Sequence, residues 1–329
     1  MKQVGDIIGK SQTFKRATSL TVAKGKLLQA ASEIRAEEPD DDERAFMARE
    51  LVQCTLPHSD PGQVPFWART NGNITLSIAS GLDTRKMKLV GYPYGSIPRL
   101  ILFWLTTEAL RAASKSTGRR LYLGDSYNEF LRDIGFDPNT GGGKRGDGKR
   151  VKEQTRRLFS ASISFIQNVD IAGIEGERRL NMPVADTSEL WWDPKRPDQI
   201  NLWDSWVELG EKFWEALTTS PVPLDIRALR ALKRSPLALD LYAWSTHKAY
   251  SVSRKGKAQY VPWKLLAQQF GTDYANHLDF KKKAKEAFRK ISIVYPGLKL
   301  SDDTPGGITV LPTSRPAIIS LPSKRTLLG

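Results

Sequence analysis

The chain has 329 residues, 40% of them hydrophobic and 26% charged, which suits a soluble globular protein with room for two domains. Fifty Lys and Arg against 36 Asp and Glu give a net charge of +14, so a polyanion, nucleic acid foremost, is the expected partner. No apolar run looks able to span a bilayer, and one cysteine (Cys54) with three scattered histidines (His58, His247, His277) argues against a disulfide framework or a zinc site.

The N-terminus, MKQVGDIIGKSQTF, lacks the apolar stretch of a secretory leader. Residues 1–26 are basic, and the following stretch is acidic up to Asp40-Asp41-Asp42-Glu43. Both read as a polar, partly disordered leader over residues 1–55, with one helix from Leu20 to Glu38 and little core of its own. Four contiguous acids point in different directions, so they read as a solvated run rather than a metal site.

Folded structure is expected from about Leu56. Asn71-Gly72-Asn73 between two β-prone runs, Trp67 to Ser80, predicts a hairpin. Ile97-Pro98 opens a buried helix that Gly118 is expected to end. A short extended piece follows at Leu121 to Leu123. Ser126 is placed to cap a helix over Tyr127 to Ile134, stopped by Gly135. A loop of Gly, Lys and Arg covers Asn139 to Arg150, then a basic helix runs from Val151 to Ser162, and Phe165 to Leu202 is β-like with Gly-containing turns.

The same order recurs. Pro236 opens a helix, Tyr260 to Pro262 is extended, and Trp263 to Phe270 is a helix before Gly271. A basic helix from Phe280 and a hairpin around Asp302 to Gly307 complete it. Pro98, Phe130, Gly135, Arg156 and Phe159 correspond to Pro236, Leu266, Gly271, Lys285 and Phe288. Helix, strand, helix, turn, basic helix, hairpin is the layout of a winged helix-turn-helix. The expected fold is therefore α+β, with tandem winged-helix units carrying β-hairpin wings: a first unit at 56–215, a second at 216–315, and a flexible tail at 316–329. The tail is expected to be loose from Pro312 onward.

The first basic region offers Lys144, Arg145, Lys149, Arg150, Lys152, Arg156 and Arg157 for DNA. Val151, Thr155, Leu158, Phe159 and Ser162 take the core face at helical spacing. Arginine can chelate guanine or phosphate, so Arg150, Lys152 and Arg156 are the expected base readers. The second region offers Lys281, Lys282, Lys283, Lys285, Arg289 and Lys290. Lysine meets phosphate as a point charge, so this helix is expected to lean on the backbone. A solvated helix face is the alternative for either region.

Gly143 to Lys149 approaches a phosphate-binding loop, but Arg150 stands where Ser or Thr would hold magnesium, so a mobile basic loop is the better reading. Trp191, Trp192, Trp203, Trp206 and Trp214 lie among Leu202, Val207, Leu209, Phe213 and Leu217, and most are expected in the core. His58 and His247 read as structural. No catalytic residue, metal or cofactor is expected; a nicking nuclease would need two close histidines and a tyrosine.

The stretch Pro223 to Trp244 (PLDIRALRALKRSPLALDLYAW) resembles the plasmid-encoded RepA replication initiators of broad-host-range plasmids. HSDPGQVPFWART (58–70), the Tyr92-Pro93-Tyr94-Gly95 turn and Phe130 to Gly135 resemble the same family, so the likeness covers most of the chain from about residue 55. The resemblance implies a non-enzymatic bacterial protein that binds repeated origin sites (iterons) in double-stranded DNA. It further implies recruitment of the host initiator and replicative helicase, repression of its own promoter, and in some members a homodimer. A cytoplasmic, nucleoid- or plasmid-associated location follows, with no membrane partner. Within the stretch, Arg227, Arg230, Lys233 and Arg234 are candidates for phosphate or protein contact. A transcriptional repressor without a replication role is the alternative.

Overall fold

The computed structural model describes residues 24–138, 147–171, 174–191, 205–271, 274 and 276–318. Helix α1 (24–36) leads to strand β1 (Arg44–Ala48) and helix α2 (Arg49–Gln53). Ala45, Met47, Ala48, Leu51, Val52, Cys54 and Leu56 are all buried, so the expectation of a polar leader with little core is corrected over this stretch. The acidic run ends in a turn, with Glu43 N donating to Asp40 Oδ1 at 2.8 Å. That turn delivers the alternating Ala45 and Met47 inward.

Strands β2 (Trp67–Asn71) and β3 (Ile74–Ala79) form the hairpin that Asn-Gly-Asn predicts. A second, short hairpin, β4 (Leu82–Asp83) with β5 (Lys88–Leu89), precedes the first long helix, α3 (Ser96–Lys115). Helix α3 ends before Gly118: Ser116 takes the left-handed position, φ 56°, and donates back to the last turn. Then come β6 (Arg120–Tyr122), α4 (Tyr127–Asp133) and α5 (Asp147–Phe159). Ser126 caps α4 by accepting from Glu129 N at 3.2 Å.

Strands β7 (Ser162–Ile171) and β8 (Ile174–Pro183) make a long hairpin that joins the first one in a four-stranded sheet, order β2-β3-β7-β8. Its near end is held by buried Leu76, Ile78, Ile163 and Met182. Strands β9 (Ala185–Glu189) and β10 (Trp206–Leu209) follow, and β10 lies between β6 and β9. Helix α6 (Glu211–Thr219) leads to β11 (Pro221–Asp225), which pairs antiparallel with β1, Arg44 opposite Asp225.

Helix α7 (Ile226–Leu232) precedes α8 (Pro236–Lys255), where Ser235 accepts from Ala238 N and Pro236 takes the first helical position. Then come β12 (Gln259–Pro262), α9 (Trp263–Phe270), α10 (His277–Val294), β13 (Leu300–Ser301) and β14 (Gly307–Val310). Helices α3 and α8 are each 20 residues long. The three-stranded sheets β6-β10-β9 and β12-β14-β13 have the same order, with the last strand in the middle. The two halves thus repeat helix, strand, helix, helix, strand, strand, and β7–β8 is an insertion after α5 in the first half.

The repeated glycines serve different ends. Gly135 has φ +83°, a conformation that favours glycine, whereas Gly271 leaves no room for a side chain. A Cβ there would stand 2.7 Å from Ala267 O and 2.9 Å from Phe280 Cδ2, so α9 and α10 meet at glycine distance. The apolar stripe of α10 (Phe280, Ala284, Ala287, Phe288, Ile291) is fully inward. Each buried Phe contributes roughly 2–3 kcal/mol from area alone.

The tail docks further than expected. Arg315 N donates to Gly297 O, Tyr295 Oη donates to Arg315 O, and Ser314 and Ile318 are buried. The tryptophan-rich segment is less internal than expected: Trp191 is 54% exposed and Trp206 and Trp214 are half-buried. Trp206 instead lies under the Arg120 guanidinium, 4.0 Å away, and donates to Glu189. Trp192 and Trp203 lie outside the described residues.

Candidate nucleic-acid interface

Two helices, α5 and α10, carry most of the residues singled out in the sequence. On α5 the core side is Val151, Gln154, Thr155, Leu158 and Phe159, all buried. Lys149 and Arg150 are exposed, and Lys152, Arg156 and Arg157 are partly covered. Helix α5 begins at Asp147, earlier than expected, and Tyr127 Oη donates to Gly148 O, fixing its first turn onto α4. Lys144 and Arg145 lie outside the described residues.

The α5 cations divide into two groups. Arg157 is turned inward, its side chain 16% exposed: it donates to Glu153 and Asp60, both at 3.0 Å, and to Tyr92 O, and stacks toward Tyr94. That commitment makes it a brace for the loop before α3. Arg156 is held through one Nη by Asp83 at 2.6 Å but keeps 41% of its side chain exposed. The Arg156 hydrogen bond draws the Asp83 carboxyl below its ordinary range, against the opposing effect of burial. Burial lowers the Lys152 ammonium, with Glu153 opposing. Arg150 rests 3.4 Å from Asp147, and Arg234 reaches the same carboxylate at 3.0 Å.

On α10, Asn276 accepts from Leu278 N and Asp279 N and starts the helix. Lys282, Lys283, Arg289 and Lys290 are exposed; Lys281 and Lys285 are half-covered. Lys283 pairs with Glu286 at 3.2 Å on the same face. Lys285 pairs with Asp302 at 2.8 Å and so ties α10 to the β13–β14 turn. That turn is tight: a Cβ at Gly307 would stand 2.4 Å from Tyr260, whose hydroxyl donates to Pro305 O.

The candidates of the Pro223–Trp244 stretch also divide. Arg227 is buried and bound to Asp225 at 2.8 Å and Glu43 at 3.3 Å, with the carbonyls of Glu33 and Glu37 beside it. It is a structural clamp between α7 and the chain after α1, so the contact role expected for it is corrected. Lys233 donates to Gly135 O and lies over Phe136. Arg230 and Arg234 stay exposed.

Asp83 and Asp302 carried no local sequence signal, because they meet Arg156 and Lys285 across tertiary contacts; Asp147 meets Arg150 within one turn of α5 and Arg234 from a distant part of the chain. Among the described residues no cluster of His, Cys, Asp and Glu could hold a metal ion, and no helix is long and apolar enough to cross a membrane. The arrangement offers two cationic helix faces, α5 tied to the β4–β5 hairpin and α10 to the β13–β14 turn.

Comparison with solved structures returns crystal structures of domains 2 and 3 of RctB. The selenomethionine derivative aligns with a TM-score of 0.48 at 11% identity, over 79% of this chain and 94% of that one. A second RctB structure of the same domains gives 0.43 at 10% identity, over 78% and 94%. No curated protein matches the sequence. The family described as plasmid encoded RepA protein matches residues 92–265, from the Tyr92 turn through α3, α5 and α8 into the start of α9, ending before α10. That match spans more than half of the chain, and the chain belongs to the plasmid-encoded RepA family.

Proposed function

We propose that this protein is a plasmid replication initiator that binds repeated sites in duplex DNA through two winged-helix units, α3 to β10 and α8 to β14. The observation that carries the reading is the repetition itself. In each half a basic helix (α5 or α10) lies in sequence between the first strand and the last two strands of a three-stranded sheet of the same strand order, in a chain of the plasmid-encoded RepA family. In this reading α5 and α10 enter successive major grooves about one helical turn apart. The β13–β14 turn acts as a wing; the corresponding β9–β10 connection falls on residues 192–204, outside the described residues.

Lys149, Arg150, Lys152 and Arg156 supply the first helix's contacts, and Lys281, Lys282, Lys283, Lys285, Arg289 and Lys290 those of the second. The protein acts without catalysis. It holds origin DNA, recruits the host initiator and helicase, and represses its own promoter, as a monomer or homodimer on the plasmid in the bacterial cytoplasm.

Selection of bound duplexes from a random pool, at two salt concentrations, tests this. One enriched site, found in tandem beside the gene, is the expected result. A lone or palindromic promoter site would replace the initiator reading with a repressor. Binding without enrichment that vanishes as salt rises would reduce the charge to a general polyanion surface and end the proposal.

A further inference from the structure

The short β4–β5 hairpin belongs to neither repeated unit. Leu82 pairs with Leu89 and Asp83 with Lys88, leaving Thr84 to Met87 as the connecting tip. Arg85, Lys86 and Lys88 are exposed, and Met87 is 79% exposed in a left-handed conformation, φ 48°. Lys86 Nζ stands 3.9 Å from Asp83, and the side chains of Arg85, Met87 and Lys88 are exposed. An Asn or Gly would take the same conformation with less strain.

The base of the hairpin is fixed to the last turn of α5 at three points. Gly81 approaches Ser160 so closely that a Cβ would stand 2.6 Å from the Ser160 Cβ and carbonyl oxygen. Gly91, φ +104°, lies against Arg157, where a Cβ would come within 2.9 Å of Cζ. Asp83 binds Arg156 at 2.6 Å. The stem closes on itself: Val90 N donates to Gly81 O at 2.8 Å and Gly91 N to Ser80 Oγ at 2.9 Å. Lys86 N donates to Asp83 as well, so one carboxylate serves both the tip and Arg156.

A stem closed in this way moves with α5. Whatever groove α5 enters, the tip is carried to the DNA beside it. We propose that the β4–β5 hairpin is a third DNA-contacting element, laying Arg85, Lys86 and Lys88 on the phosphates that flank the α5 groove. Asp83 is the positioning residue that sets the hairpin and the Arg156 fork in one register. The inference rests on the proposed binding of duplex by α5 but not on the identity of the site. It lengthens the contacted DNA on one side only, so the footprint of the protein is asymmetric.

The test uses the full chain and the duplex obtained by selection from the random pool. Arg85→Gln, Lys86→Gln and Lys88→Gln are combined; all three side chains are exposed, and the melting temperature is expected to stay that of the parent. Every phosphate that the variant no longer neutralises lowers the slope of log affinity against log salt by about 0.9, so the slope should fall by about 2–3 and affinity at low salt by tenfold or more. Hydroxyl-radical protection should disappear at one flank while the remaining protections and the base preference stay. A second measurement places an iron chelate on Met87→Cys. The native Cys54 is buried, with its thiol pushed up to about 11 by that burial, and stays unlabelled. Cuts confined to one flank of the site support the proposal. A parent-like slope and footprint, or no cutting above free chelate, would overturn it while leaving duplex recognition intact. A parent that selects no duplex would overturn both.

Discussion

Arg99 on α3 and Asp240 on α8 form a buried two-point ion pair, Nε to Oδ1 at 2.7 Å and Nη2 to Oδ2 at 2.9 Å. The two residues come one from each half of the repeat, 141 positions apart. The same guanidinium donates to the carbonyls of Leu56, Pro57 and Gly95, and Thr55 Oγ1 donates to Asp240 Oδ2. His58 Nε2 stands 2.8 Å from the same oxygen, and Arg69 reaches Thr55 at 3.0 Å. One carboxylate therefore gathers α3, α8, β2 and the chain before it. Burial works to raise the Asp240 carboxyl, and Arg99 and His58 outweigh it, holding the group well below the ordinary carboxylate range.

Removing the carboxylate strands the charge of Arg99. Asp240→Asn should cost about 3–5 kcal/mol in urea unfolding, because a buried guanidinium without its partner is heavily penalised. Arg99→Met should cost at least as much, since three carbonyls lose their donor together with the ion pair. The double variant should recover part of the sum, giving a coupling of more than ~1.5 kcal/mol. A loss below about 1 kcal/mol for Asp240→Asn would mean that the halves are joined mainly by apolar packing.

His58 gives the stability of that joint a pH dependence. Burial lowers its pKa from 6.5, the Asp240 hydrogen bond opposes, and Arg99 and Arg69 add to the lowering. The folded protein then binds fewer protons than the unfolded chain just below pH 6.5. The stability contributed by neutral His58 is complete above that pH and is lost as pH falls through it. Melting temperature should therefore decline between pH 7.5 and 5.5. His58→Gln should flatten part of the decline; His247, also lowered by burial, adds to it, and Asp133, whose carboxyl burial pushes up to about 6, opposes it as the pH falls. An unchanged pH profile in His58→Gln would assign the decline elsewhere.

Much of this was legible in the sequence where the signal was local. The caps at Ser126 and Ser235, Pro236 at a helix start, Asn-Gly-Asn between β2 and β3, and the basic amphipathic faces of α5 and α10 each depend on residues within one or two turns. What escaped was made by distant pairing. Strand β1 is short, and what holds it, pairing with β11 and packing against α3, lies far along the chain. The β4–β5 hairpin has no turn dipeptide and reads as a polar loop. Arg156 and Arg157 look alike on the helix; Asp83 and Asp60, 73 and 97 positions away, help to separate a partly exposed Arg156 from an internal brace.

That separation makes a prediction about specificity. Arg156→Ala should lower affinity for the selected duplex by about 1–3 kcal/mol and for random duplex by less, because a guanidinium fork reads a base edge. Lys282→Gln should weaken both alike, since an exposed ammonium meets phosphate. Competition binding with selected and random DNA measures the ratio. Equal losses for Arg156→Ala on the two duplexes would remove it from base reading.

The Lys285–Asp302 pair distinguishes a stabilising contact from one that restrains DNA binding. Both side chains are substantially exposed, and the Lys285 hydrogen bond draws the Asp302 carboxyl below its ordinary range. Solvent screens an exposed pair of this kind, so it adds little to stability. Asp302→Asn should accordingly leave the melting temperature almost unchanged. For DNA the same change removes a negative charge beside α10 and frees an ammonium for phosphate. Affinity at low salt should rise several-fold, and the salt slope should steepen by about 0.9, the value of one more neutralised phosphate. A titration over several salt concentrations reads both quantities. If slope and affinity stay at the parent values while Lys285→Gln also leaves binding unaffected, this edge of α10 and the β13–β14 turn face away from DNA. Because Lys281 and Arg289 flank Lys285 at four-residue spacing on one face of the helix, contacts from α10 would then be confined to Lys283, Lys290 and their neighbours at the far edge of its exposed side.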